Sequence, residues 1–319
     1  MDDNFDAIPA ELFNPREDPI FKLLLTRPDS KPILCDLLAS ILRVKVTNVE
    51  VRNSELPLGN IGEKNERFDV NCEVDGDKQI NVEMQNERMI GDNIENNQQR
   101  LRNRIVFYIS DLYSSQEGSG VKYENLKNSY QITLCGFPMV AESTNKFLHW
   151  NTFCDENGVK FSDAVNIIII EMTKLAKIME KPVSEMSDAE EWSAFFAFAG
   201  DPKYKDKLEE ICANKEAIQM ANNMLGTLSR DPDVIAQMRS RKKFQMDMES
   251  DRAATFDEGK IEGKIEGKIE GKIEGKIEGE TSKAITIAKK MLSKNRSIDE
   301  IIEFTDLSLD QITKLQSQK

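Results

Sequence analysis

Histidine is almost missing from this sequence: His149 is the only one in 319 residues. Mechanisms that need an imidazole base, and zinc sites built on imidazole, are poorly supported from the start. Cysteine offers no replacement. Cys35, Cys72, Cys135, Cys154 and Cys212 are odd in number, scattered and without a C-x-x-C pair, which argues against thiolate zinc sites and disulfide stapling alike. Long apolar runs are absent too, the longest candidate being Val165 to Ile170, far below the roughly eighteen residues of a membrane span. The N-terminus is acidic and unlike a secretory signal, so the protein is expected in the cytoplasm, with no membrane partner. An excess of basic residues is also lacking. A net charge of −13 argues against a generic nucleic-acid binder, which carries a positive face, without excluding a local basic cleft.

What is present is organised around a short stretch. Arg67-Phe68-Asp69-Val70-Asn71-Cys72-Glu73-Val74 and Lys78-Gln79-Ile80-Asn81-Val82-Glu83-Met84-Gln85 both alternate, with Asp75-Gly76-Asp77 between them. Val70, Cys72 and Val74 share one face of the first arm, and Ile80, Val82 and Met84 share one face of the second, so the pair reads as a hairpin. Residues directly opposite in an antiparallel pair point to the same side. Even-numbered positions must therefore face even-numbered ones, which requires a three-residue loop or a bulge and sets Val70 against Val82 and Asp69 against Glu83. Side chains so paired have Cβ atoms about 4.5 to 5.5 Å apart, where like charges repel. A divalent cation relieves that repulsion, and a hard ion such as magnesium takes oxygen ligands of this kind. Gln85 points to the same side and is placed to hold a water or a phosphate oxygen. The plainer alternative is that Asp69, Asn71, Glu73, Asn81, Glu83 and Gln85 form only a solvated face.

A chain of this length, 39% hydrophobic, can bury a sizeable core and form about two folded units. In order, Asp18-Pro19 reads as an N-cap with proline at the first helical position, and Ser30 repeats the device before Ile33, Leu34, Leu37, Leu38, Ile41 and Leu42 at helical spacing. Lys45 to Val51 reads as a strand and the hairpin follows. Asp92 to Gln116 supports a long helix that turns Ile94, Leu101, Ile105, Tyr108 and Leu112 inward, with Arg100 and Arg104 one turn apart on another face. Tyr130 to Phe137 and Val165 to Ile170 read as further strands. His149, beside Trp150, is read as structural.

These residues carry a resemblance. Asp18-x-x-Phe21-Lys22-x-Leu24-Leu25, Arg67-Phe68-Asp69-Val70, Val82-Glu83-Met84-Gln85, Arg104-x-x-x-Tyr108-x-x-x-Leu112-Tyr113 and Tyr123-x-x-Leu126 follow one another as in the Rpn family of recombination-promoting nucleases and transposases, within the PD-(D/E)XK superfamily. The resemblance implies an α/β, restriction-endonuclease-like core, a mixed sheet flanked by helices over residues 1–180. It implies a DNA endonuclease dependent on Mg2+ or Mn2+, with Asp69, Glu83 and the Met84 carbonyl at the metal and Gln85 where the superfamily has lysine. Asp18 is the candidate for a contribution from the first helix, although a capping role is the simpler reading of it. Arg67, Arg100 and Arg104 are candidates for phosphate contact, each with plain surface charge as its alternative, while Lys64, weighed beside them, reads more simply as plain loop. The rival from another class is a catalytically silent interaction or regulatory protein that keeps the fold.

Beyond Pro182 the sequence turns helical over residues 181–250, opened by the capping box Ser187-Asp188-Ala189-Glu190 and carrying Trp192, Phe195, Phe196 and Phe198 as core. Arg239-Ser240-Arg241-Lys242-Lys243 reads as a solvated helix end. Over 251–280, Gly-Lys-Ile-Glu recurs five times from Gly259 to Glu278. This segment is either a flexible spacer or a helix formed against another copy, and the expectation is a linker that is helical when paired. Residues 281–319 read as a small helical module with capping boxes at Ser297 and Ser308, too short to bury much core and suited to homo-oligomerisation.

Overall fold

The computed structural model describes residues 12–52, 70–86, 94–116, 122–139 and 145–317. Lys64, Arg67, Phe68 and Asp69 lie outside the described residues, as does the start of the long helix at Asp92. The chain divides into two compact units, Met1–Arg241 and Lys242–Lys319.

In the first unit, the hairpin forms in the register required by parity. Strand β2 (Val70–Val74) and strand β3 (Lys78–Gln85) are antiparallel, with Val70 opposite Val82 and Cys72 opposite Ile80. The connection is the three-residue loop Asp75-Gly76-Asp77, where Asp75 (φ 49°) and Gly76 (φ 77°) are both left-handed. Asp75 offsets the strain of that conformation, because its Oδ1 accepts bonds from the backbone N of Thr47 (3.0 Å) and Asn48 (2.8 Å) and so fixes the approach to β1 (Val49–Val51). Strand β1 is shorter than the alternation from Lys45 suggests. A crossover through α3 (Ile94–Ser114) leads to β4 (Asn128–Cys135), parallel to β3. Next come β5 (Leu148–Cys154), which the sequence reading did not anticipate, and β6 (Lys160–Glu171), parallel to β4. The result is a mixed six-stranded sheet in the order β1-β2-β3-β4-β6-β5.

The even-numbered face is apolar. Val82, Met84, Ile132, Leu134, Ile168 and Ile170 pack with α1 (Asp18–Thr26) and α2 (Lys31–Leu42). The same core continues into α4 (Asp188–Phe198), α5 (Lys205–Asn214) and α6 (Glu216–Leu228), so the helices after Pro182 share one core with the sheet. Ser187 and Glu190 form the expected capping box on α4. Trp192 stacks on Phe196 at 5.9 Å and donates its Nε1 to Asp36 at 2.7 Å.

Two expected caps do not form. Glu17, not Asp18, occupies the N-cap of α1, and the Asp18 carboxylate pairs with Lys22 (3.1 Å) and Arg241 (2.9 Å). The proline after it already presets the first turn without a side-chain cap. Ser30 stands at the N-cap of α2, but its hydroxyl meets the Met224 sulfur at 3.4 Å. Along α3 the buried line is Leu101, Ile105, Ile109 and Leu112; Tyr108 is only half-buried.

Helix α7 (Pro232–Ser293) starts in the first unit and carries the repeat. The second unit closes a small core of its own, in which Ala288, Ile301, Leu307 and Ile312 are buried. Ser297 opens α8 (Ile298–Thr305) and Ser308 opens α9 (Leu309–Gln316), each with a complete capping box.

Candidate functional site

The odd-numbered residues of β3 place Gln79, Asn81, Glu83 and Gln85 on the sheet face opposite the main core. That face is not left to solvent. Helix α3 packs across it through Leu101 and Ile105, against Cys135 and Ile169, so Asn81 is fully buried and Glu83 is 6% exposed. For β3, the reading of these polar residues as a solvated face is therefore overturned.

A buried polar chain runs across the strands. Asn81 Nδ2 donates to Gln131 Oε1 (2.8 Å), and Gln131 Nε2 donates to Glu83 Oε2 (3.3 Å). The other Glu83 oxygen accepts from Gln85 Nε2 (2.8 Å) and pairs with Arg104 Nη2 (2.5 Å). The Arg104 guanidinium also lies 5.7 Å from the centre of the Tyr108 ring. Burial pushes the Glu83 carboxyl above the ordinary carboxylate range, while Arg104, Gln85 and the more distant Lys22 pull it back. Desolvation outweighs even a contacting guanidinium.

Two polar atoms here have no hydrogen-bond partner among the described residues: Asn81 Oδ1 and Arg104 Nε. An unpaired buried carbonyl oxygen beside a desolvated carboxylate suits a hard divalent cation, which prefers oxygen donors. Among the described residues no three of His, Cys, Asp and Glu gather as ligands, so a cation here would need amide or backbone oxygens, or donors from outside those residues.

The structure thus brings Glu83, Gln85 and Arg104 together. Arg100 is exposed one turn from Arg104, and the Met84 side chain is buried on the opposite, apolar face. Asp18 lies on α1, whose Lys22 acts on Glu83 through space. Gln131 was missed by the sequence reading. Its signal was present, because Ser129, Gln131 and Thr133 alternate with Tyr130, Ile132 and Leu134, but polar alternation alone does not say whether a face is wet or covered.

A polar recess of about 630 Å³ opens further along the same face, lined by Arg52, Asn71, Glu73, Gln79, Gln116 and Lys127. Hydrogen bonds from Lys127 and Arg52 hold the Glu73 carboxyl below its usual range. One carboxylate thus pairs with both cations, and the three groups together keep a net positive charge.

Residues 15–254 match the family model described as PD-(D/E)XK nuclease family transposase. The chain belongs to that family. Comparison with curated proteins and with solved structures returns no match. The resemblance read from the sequence is borne out at the level of family and fold, and the cluster around Glu83 is the candidate centre of a site.

One glycine bears on that centre. Gly136 follows β4 and donates its N to the Gln85 carbonyl at 2.8 Å, and a Cβ added to it would lie 3.0 Å from both the Asn86 carbonyl and the Asn86 Oδ1. Gly136→Ala is expected to displace the end of β3 just past Gln85, costing about 1 to 3 kcal/mol. Urea unfolding should report that loss, together with a lower yield in any activity that depends on Gln85.

Proposed function

We propose that this PD-(D/E)XK chain is a divalent-metal-dependent DNA endonuclease whose site is built on Glu83. One observation carries the reading: Glu83 is a carboxylate removed from water, shared among an arginine and two glutamines, two residues along β3 from a buried amide oxygen that lacks a partner.

Asp69 directly precedes Val70, and the pairing of Val70 with Val82 supports placing Asp69 opposite Glu83 when the ladder is continued by one residue. Two carboxylates on one rung, with the Met84 carbonyl and Asn81 Oδ1, would hold Mg2+ or Mn2+. Bound there, the ion supplies an acidified water and neutralises charge developing on the scissile phosphate. Glu83 holds that charge in place only while ionised. Gln85 positions; its amide can neither accept a proton nor bring a full positive charge. Arg104 brings the full charge that glutamine lacks, beside the same carboxylate, and thereby favours the ionised form of Glu83. Arg67 and Arg100 are assigned to the DNA backbone, where contacts position the duplex without reading it.

The test is cleavage of duplex DNA with Mg2+ or Mn2+. The wild-type protein should cut, Asp69→Ala should not, and Lys64→Ala should cut as wild type does. Gln85→Ala should retain activity at a level about 10 to 100 times lower, the size expected when a hydrogen-bond partner of a metal-ligating carboxylate is lost. No cleavage by the wild type, together with no divalent-ion binding in a calorimeter, would return the chain to the silent-scaffold reading.

A further inference from the structure

Within the repeat on α7, glycine content and charge spacing both oppose the helix. Six glycines, Gly259 to Gly279 at intervals of four, each cost about 1 kcal/mol relative to alanine, and a Cβ at any of them would meet nothing. Each lysine has a lysine four residues away and each glutamate a glutamate, spacings at which like charges destabilise a helix by a few tenths of a kcal/mol per pair. No opposite charges sit three or four residues apart inside the repeat; the pair Lys276–Glu280, at 3.9 Å, straddles its end. Yet the segment is helical, with Ile261, Ile265, Ile269, Ile273 and Ile277 between 53% and 59% exposed. Neutralisation of its charges and cover for its isoleucines must come from outside the helix.

We infer that the repeat is a pairing surface for a second copy of this chain, aligned parallel and in register through the isoleucines. The charge pattern selects the occupant and its direction. At about 100° per residue, lysine and glutamate lie about 100° to either side of the isoleucine between them, and glycine lies on the far side of the helix. When two such helices face each other parallel, the two-fold axis sets the lysine edge of one against the glutamate edge of the other on both flanks. Turned antiparallel, lysine meets lysine and glutamate meets glutamate. The parallel pair therefore supplies each side chain with the opposite charge that its own helix denies it. Apolar burial drives contact in water, so the isoleucine edge forms the seam and the glycine edge stays outside. A period of four advances the isoleucines by about 40° per repeat, which winds the pair right-handed.

The test uses the full chain in sedimentation velocity. Wild type should form a dimer that weakens at high salt. Changing Lys260, Lys264, Lys268, Lys272 and Lys276 together to Glu should give a monomer. Changing the five glutamates from Glu262 to Glu278 to Lys should do the same, and mixing the two variants should restore a heterodimer. Orientation is read by oxidation in a Cys154→Ser background, which removes the exposed native thiol. Ile277→Cys alone should link to itself. If the charge-reversed proteins dimerise as wild type does, the C-terminal module holds the copies together and the inference fails. Linking only in a mixture of Ile261→Cys with Ile277→Cys would equally overturn it.

Discussion

Glu83→Gln is expected to lower divalent-dependent DNA cleavage by about a thousandfold or more, the range seen when one preorganised electrostatic group is lost from a catalytic site. The substitution is nearly isosteric and its amide oxygen can keep the bonds from Gln85 and Arg104, while the oxygen that accepts from Gln131 becomes an amide nitrogen, so the fold should persist and the loss should be mainly chemical. A second readout separates the two. If Glu83 holds the ion, Mn2+ at a hundred times its dissociation constant should stabilise the wild-type protein by about 2.7 kcal/mol, because only the folded state binds it. The variant should gain almost nothing. A variant that still cuts at a rate within tenfold of wild type would remove Glu83 from the chemistry altogether.

The raised pKa of Glu83 adds a pH signature. Burial favours the protonated acid, so the folded state holds this proton more tightly than the unfolded chain. As pH falls through the raised value, the site loses its negative charge and its claim on the ion. The acid limb of the pH–rate profile should thus lie above the ordinary glutamate value of 4.5. The stability term has its own sign. The folded protein gains from Glu83 at low pH, relative to neutrality, and that gain is lost between the ordinary value and the raised one as pH rises.

The hairpin was legible in the sequence because period-2 alternation in both arms and a turn at Asp75-Gly76 leave few registers open, and parity selects among them. Family membership was legible for a similar reason, since several weak motifs in one order constrain more than any of them alone. Strand β5 was not. His149, Trp150 and Asn151 show no clean alternation, because the strand is antiparallel to β6 at the sheet edge and irregular at Thr152 and Phe153. Asp18 was misread because a residue before proline looks the same whether its carboxylate caps the helix or reaches forward to Lys22 and Arg241. The deepest miss concerns the polar face of β3. Alternation names which side chains share a face, but whether α3 covers it is a tertiary fact, and on that fact rest the burial of Glu83, the role of Gln131 and the contact with Arg104.

Removing Arg104 is expected to cost more at neutral pH than in mild acid. Its guanidinium contacts a carboxylate whose side chain is 9% exposed, while the arginine side chain is itself 31% exposed. Breaking a fully buried pair costs about 3 to 5 kcal/mol, because the remaining charge is stranded. Solvent reaches Arg104, so about 2 kcal/mol is the appropriate scale for Arg104→Ala at pH 7.5. Without the guanidinium, the amides of Gln85 and Gln131 and the more distant Lys22 are left to act on Glu83, and its pKa climbs further. In mild acid the carboxyl can then take up a proton and most of the penalty disappears. Urea midpoints of wild type and Arg104→Ala at the two pH values measure this directly. Adding Glu83→Gln to Arg104→Ala should recover most of the stability at neutral pH, since no charge is left to strand, and the double-mutant cycle isolates that coupling. Equal losses at both pH values would mean that Arg104 acts through its packing on Tyr108, and that Glu83 is kept in its site by the two glutamines alone.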